Sequence, residues 1–209
     1  MKKIVALLSS LACASLLFAQ TYPEPEFSNE VYYLKKDNPY TLTRLEKASA
    51  KQVNKANMIK GAEFSYLIEG KSAPVRLSSG SNLSFVMSSG KSSGSSESKG
   101  DSALRANGLD PASFSGFTDP SNSITLYKVN VDGGDRKIYM QKTGGALPFS
   151  SHKNQSSEKY TFSLKKIREG YWEFVVDKPL PKGEYAFYTM GMGMQAMGGS
   201  SVVFAFGID

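Results

Sequence analysis

Cysteine and histidine are nearly absent from this sequence, whose 209 residues contain one of each, Cys13 and His152. Cys13 lies in an apolar run near the N-terminus, so the rest of the chain can form no internal disulfide. Zinc sites of the usual kind need several cysteine or histidine ligands, and a lone histidine does not supply them. The protein must therefore be held together by an ordinary hydrophobic core.

The sequence also lacks an apolar run long enough for a transmembrane helix. Its longest apolar run, residues 4–18, follows two lysines and precedes Ala19. This is the pattern of a secretory signal peptide, whereas a membrane-spanning helix needs about 20 apolar residues. We predict that residues 1–19 are a signal peptide, that no transmembrane span remains after its removal, and that the protein is secreted, periplasmic or at the cell surface. Lipidation of Cys13 stays open.

Nucleic-acid-binding motifs and catalytic signatures are missing as well. The formal net charge is +6, and it falls to about +4 once the two lysines of the signal peptide are removed. Lysines on solvated strand faces account for such a balance. An exported chain without a nucleic-acid motif argues against nucleic acid as a partner. A protein or glycan surface fits the composition better, because aromatic side chains that face outward can contact either.

What the sequence has in quantity is β-favouring runs separated by turn residues. Four such runs follow one another between Tyr160 and Asp209, around the only tryptophan, Trp172. The segment 132–135, Asp-Gly-Gly-Asp, lies between two further runs and predicts a tight hairpin, because glycine adopts positive φ angles at no steric cost. Residues 45–60 fit a loose helical stripe or a strand, and we favour a long strand because the neighbouring segments are strands.

About ten short strands with frequent turns predict an all-β fold, an antiparallel β-sandwich formed by residues 20–209 as a single domain. Residues 88–98 contain seven serines and two glycines, too little apolar surface to offset the entropy of ordering. We therefore predict a flexible serine/glycine loop at about 88–100. The capping residues within 101–117 predict a short helical crossover after it.

The most unusual local feature is a methionine-rich segment before the last strand run. Thioethers are soft ligands that suit Cu(I), and glycines between methionines would let a loop wrap an ion. Methionine also fills irregular apolar space, which is its commoner use. The candidate Cu(I) ligands are Met190, Met192, Met194 and Met197.

Several carboxylates lie among the aromatic residues of the C-terminal strands. Hydrolysis of glycosidic bonds needs two carboxylates that face a shared cleft, and strand spacing alone does not show whether any two converge. The candidates are Glu169, Glu173, Asp177 and Glu184. The function that the sequence favours is a non-enzymatic binding or structural module. A Cu(I)-binding protein and a carbohydrate-active hydrolase are the alternatives.

Overall fold

The structure, a computed structural model, describes residues 21–57, 61–80, 83–88, 123–144, 154–189 and 201–209. These residues form thirteen β-strands and no helix, so the predicted all-β class is confirmed. The strands are β1 (Val31–Lys35), β2 (Thr41–Arg44), β3 (Glu46–Asn57), β4 (Gly61–Ile68), β5 (Arg76–Leu77), β6 (Ser84–Ser88), β7 (Ile124–Asp132), β8 (Asp135–Lys142), β9 (Lys159–Tyr160), β10 (Phe162–Arg168), β11 (Tyr171–Val176), β12 (Gly183–Thr189) and β13 (Ser201–Ile208).

The described residues contain more strands than the ten or so expected. The long strand favoured for the segment 45–60 is confirmed, because β3 has 12 residues. The predicted hairpin between β7 and β8 is confirmed, with positive φ angles at Gly133 and Gly134. The predicted helical crossover at 101–117 and most of the serine/glycine loop at 88–100 lie outside the described residues. No helix that could cross a membrane occurs among the residues described.

The strands form two sheets that pack on each other. The smaller has five strands in the order β10-β11-β6-β1-β2. In the larger sheet, β7 pairs with β12 along Ile124–Val129 and with β8 along Asn130–Asp132. Because β7 pairs with both β8 and β12, six strands of the larger sheet (β12, β13, β3, β4, β8 and β7) close into a ring.

Strand β12 is buried on both faces and divides the core in two. Tyr185 and Phe187 pack against the five-stranded sheet, whereas Ala186 and Tyr188 point into the ring. This alternation follows from the two-residue period of a strand, in which successive side chains lie on opposite faces. The neighbouring strand β13 repeats the pattern. The continuous apolar runs near the C-terminus are therefore strands with a core on either side.

Two arginines, of which Arg136 is buried, close the end of the ring at which β8 and β12 begin. Arg136 is 1% exposed and binds both carboxylate oxygens of Glu46. Arg76 forms an ion pair with Glu184 and lies directly over Gly207, where a Cβ atom would be 1.8 Å from the guanidinium Nη1. A Cβ atom at position 207 would therefore force the guanidinium of Arg76 to move. Charged side chains thus cover this end of the apolar core inside the ring.

Candidate functional site

The opposite end of the ring carries an open cleft on three strands. Strand β13 pairs with β3 only between Glu46 and Ala50, whereas β3 continues to Asn57 beside β4. Strand β8 follows β4 as far as Lys142. The strands β3, β4 and β8 therefore project beyond the ring, and their surface holds a cleft of 310 Å³. It is lined by Asn54, Lys55, Ala56, Ala62, Glu63, Phe64, Gln141 and Thr143.

An aromatic ring lies between two amide side chains in this cleft. Phe64 is 36% exposed, which is high for so large an apolar side chain. Its direct cross-strand neighbours are Asn54 on β3 and Gln141 on β8. Neither amide bonds to another side chain in the segments that the structure describes, so each keeps donors and acceptors for a ligand. An apolar face flanked by a few polar groups is the usual composition of a small-molecule or glycan site.

The exposed ring is supported from below by further aromatics. Phe64 contacts Tyr66, with ring centroids 5.7 Å apart, and Tyr66 contacts Tyr188 at 4.9 Å. Burial and a hydrogen bond with Tyr188 raise the pKa of Tyr66 to about 12. Tyr66 and Tyr188 belong to the core enclosed by the ring of six strands. The side chain of Phe64 therefore packs on a well-filled core. A rigid aromatic surface loses little conformational entropy when a ligand binds.

A β-bulge sets the geometry of the cleft. Ser65 pairs with Tyr139 and Phe64 pairs with Gln141, which leaves Met140 as the extra residue. Bulges bend a strand and re-aim its side chains, and they are frequent next to functional sites. Here the bulge brings Gln141 opposite Phe64.

The charges at the cleft are balanced, and its carboxylate already has partners. Lys55 lies opposite Glu63 on the next strand. Glu63 accepts a hydrogen bond of 2.8 Å from the Ser65 hydroxyl and lies 3.6 Å from Lys137 Nζ. Glu63 is the one carboxylate among the lining residues, while glycoside hydrolysis commonly uses a pair. The residues that line the cleft thus carry no net formal charge and no pair of carboxylates.

A polar cluster on the outer face of β8 lies beside the cleft. Asp132 accepts hydrogen bonds from Lys137 at 2.8 Å and from the Tyr139 hydroxyl at 3.0 Å. The bond from Lys137, with that from Tyr139, lowers the pKa of Asp132. Burial and the bond to Asp132 raise the pKa of Tyr139 to about 12. Because these side chains bind one another, the cluster serves to join β7 to β8.

Buried tyrosines predict that the protein loses stability at alkaline pH. Tyr139 and Tyr171 are 3% and 1% exposed, and burial is the first cause that raises each pKa from 10.0 to about 12. Between these values the unfolded chain releases protons that the folded chain keeps. Stability is therefore full below pH 10 and falls as the pH approaches 12, by at most about 2.7 kcal/mol per tyrosine. Urea unfolding over a pH series measures this loss.

The control for this expectation is Tyr139→Phe, which removes one titrating group. Its stability should fall less steeply over the same pH range than that of the unchanged chain. Equal slopes for the two proteins would show that Tyr139 does not contribute to the loss.

The four candidate carboxylates of the hydrolase alternative have separate partners. Glu169 lies 2.5 Å from Lys166 Nζ in the turn between β10 and β11, and Asp177 accepts from the Ser163 hydroxyl at 2.7 Å. Glu184 accepts from the backbone N–H of Ala73 at 2.8 Å at the closed end of the ring. The hydrolase alternative stays a prediction.

Glu173, the fourth carboxylate, is the most deeply buried of them. It is 1% exposed on the outer face of the five-stranded sheet. Burial raises its pKa, but hydrogen bonds from Lys36 and from the Tyr22 hydroxyl outweigh that effect, so the pKa is lowered. Glu173 is therefore an ionised carboxylate in a buried position, which requires compensating partners.

The candidate copper ligands Met190, Met192, Met194 and Met197 lie outside the described residues, as does His152. Among the residues described, no group of three or more histidine, cysteine, aspartate or glutamate side chains could hold a metal ion. The Cu(I) site stays a prediction.

A scan against protein-family models finds no match, and neither does a search of curated proteins or of solved structures. The function must be inferred from this chain alone.

The residues that line the cleft were not among the candidates proposed from the sequence. The alternation in β4 predicts that Phe64 shares a face with Tyr66 and Ile68, and no sequence signal shows that this face emerges from the core at Phe64.

Proposed function

We propose that this protein is an exported, non-enzymatic β-sandwich domain that binds a neutral glycan in the cleft on β3, β4 and β8. The observation that carries the proposal is the exposed ring of Phe64 between the amides of Asn54 and Gln141. A pyranose ring presents C–H groups on its faces and hydroxyls at its edge. An aromatic face with flanking amides matches both features.

The β-sandwich architecture is supported by the core between the two sheets. Phe85 of the five-stranded sheet contacts Phe187 and Phe206 of the ring, with ring centroids 4.9 and 5.0 Å apart. Interdigitated side chains from two facing sheets are the defining feature of a sandwich. Export is supported by the signal-peptide pattern of residues 1–19. A rigid exported β-domain with a surface cleft is a suitable scaffold for glycan binding.

The proposal predicts that Phe64→Ser abolishes most of the glycan affinity. A glycan array would identify ligands, and titration calorimetry would compare the variant with the unchanged chain. Loss of the aromatic surface should weaken binding by at least about tenfold. The matched control is Phe27→Ser, since Phe27 is 42% exposed, does not line the cleft and instead contacts Arg44.

The control variant should bind the same glycans with unchanged affinity. Equal losses in Phe64→Ser and Phe27→Ser would contradict the assignment of the cleft. An array with no glycan bound at low and moderate salt would contradict the ligand class.

A further inference from the structure

The second built site of this protein lies on the outer face of the five-stranded sheet, where its own N-terminal segment is bound. Residues 21–29, here called the leader, precede β1 and cross this face. The Tyr22 hydroxyl donates a 2.9 Å hydrogen bond to Glu173 Oε2. The Tyr22 ring contacts Tyr40 and Tyr171 edge-on, with centroids 5.6 and 6.3 Å away. The ring of Tyr22 thus lies between two aromatic walls above a buried carboxylate.

The rest of the leader is bound by side chains of the sheet. The Tyr171 hydroxyl donates a 2.6 Å hydrogen bond to the carbonyl oxygen of Pro23. Arg168 forms an ion pair with Glu24. Together these contacts recognise an aromatic side chain, a backbone carbonyl and an acidic side chain in succession. That is the recognition of an extended peptide.

Contacts at the other end of the leader complete the set. The backbone N–H of Phe27 donates to the Tyr32 hydroxyl at 3.0 Å, and the guanidinium of Arg44 lies 4.4 Å from the Phe27 ring centroid. We call the surface that makes all these contacts the seat. Its residues are Tyr32, Tyr40, Arg44, Lys165, Arg168, Tyr171 and Glu173, where Lys165 Nζ lies 3.4 Å from the Tyr22 hydroxyl.

The seat contains a charged group that needs an occupant. Glu173 is 1% exposed, and Lys36 Nζ lies 2.6 Å from its Oε1. Its other oxygen, Oε2, accepts the hydrogen bond from Tyr22. If the leader departed, that oxygen would lose its donor in a partly desolvated position, which is unfavourable. An incoming phenol would restore the bond.

The leader lies outside both sheets. Residues 21–27 belong to no strand, and Pro23 and Pro25 have no N–H group to donate. Proline also restricts the unbound chain, so less conformational entropy is lost when the segment binds. The seat therefore binds the leader through side chains, one backbone carbonyl and one backbone N–H, and not through a continuous strand ladder.

We propose that the seat is a peptide-binding site and that its second occupant is the leader of another copy of this chain. The ligand class is an extended, proline-interrupted peptide that carries a tyrosine followed by an acidic residue. Two copies that exchange leaders form two identical seats related by a two-fold axis, as in domain swapping. The leader bound within its own chain caps the seat and competes with the exchange.

The first test is peptide binding to a full-length chain with a vacated seat. Tyr22→Ala removes the leader's main anchor, and a synthetic peptide of residues 21–27 is titrated into it. We expect saturable binding, with at least about tenfold weaker binding to the unchanged chain, because its own leader is present at high effective concentration. A peptide with phenylalanine in place of tyrosine should bind about tenfold more weakly, since it cannot donate to Glu173.

The second test is complementation between two variants. Tyr22→Ala keeps an intact seat, and Glu173→Gln keeps an intact leader beside a weakened seat. Their mixture should form a heterodimer in light scattering that neither variant forms alone. Tyr171→Phe, which loses the bond to the Pro23 carbonyl, replaces Glu173→Gln if the latter does not fold.

The outcomes distinguish the two parts of the proposal. A folded Tyr22→Ala chain that does not bind the peptide overturns the peptide site. Peptide binding without any heterodimer overturns exchange between copies. Equal affinity for the tyrosine and phenylalanine peptides overturns recognition through Glu173.

Discussion

Replacing Arg136 by methionine is expected to lower the free energy of unfolding by about 3–5 kcal/mol. Arg136 is the most deeply buried cation among the described residues, at 1% exposure. It donates to both oxygens of Glu46 at 2.7 and 2.8 Å, and to the carbonyls of Gly70 and Glu69 at 3.0 and 2.9 Å. Methionine fills a similar volume but leaves these four acceptors without their donors.

The control for this prediction removes both charges. Arg136→Met combined with Glu46→Leu leaves no unpaired carboxylate, so it should recover part of the loss seen in the single variant. Urea unfolding of the unchanged chain and of the two variants measures the difference. A loss below about 1 kcal/mol in the single variant would show that water reaches Glu46 and replaces the arginine.

Replacing Phe187 by alanine is expected to cost about 3–5 kcal/mol, because it opens a cavity between the two sheets. Phe187 is fully buried on β12. Its phenyl group packs between the five-stranded sheet and the ring of six strands, with aromatic neighbours at centroid distances of 4.9 to 6.0 Å. These neighbours are Phe85, Phe162, Phe174 and Phe206.

Phe64→Ala is the matched control, because it removes the same side chain from the rim of the cleft. Phe64 is 36% exposed, so its loss should change stability by less than about 1 kcal/mol. Thermal and urea unfolding compare the two. Similar losses at both positions would mean that Phe64 is part of the structural core, which would also weaken its assignment to ligand binding.

These stability variants also separate structure from function. Phe64→Ser tests glycan binding in a chain whose core is intact, and Tyr22→Ala tests the seat without changing either sheet. Arg136 and Phe187 lie in neither site. A binding defect in Phe64→Ser with normal stability therefore reports on the cleft itself.

The sequence alone determined the fold class and the position of most strands. Strands appear wherever apolar residues alternate or form short continuous runs, because a strand's side chains alternate between two faces. The hairpin between Asp132 and Asp135 was also predictable from local sequence, since its two adjacent glycines allow the positive φ angles of the turn. The four C-terminal strand runs were also correct.

Only the tertiary structure decided which residues form the sites. Tyr22 and Glu173 are separated by 151 positions in sequence, yet one donates to the other. The cleft exists because β3 extends beyond the last residue that it pairs with β13. This difference in length depends on how the strands pair and not on any local sequence pattern. Pairing register and strand order depend on contacts between distant segments. Phe64 and Phe187 are chemically the same residue in similar strand patterns, and only packing makes one a candidate ligand contact and the other the centre of the core.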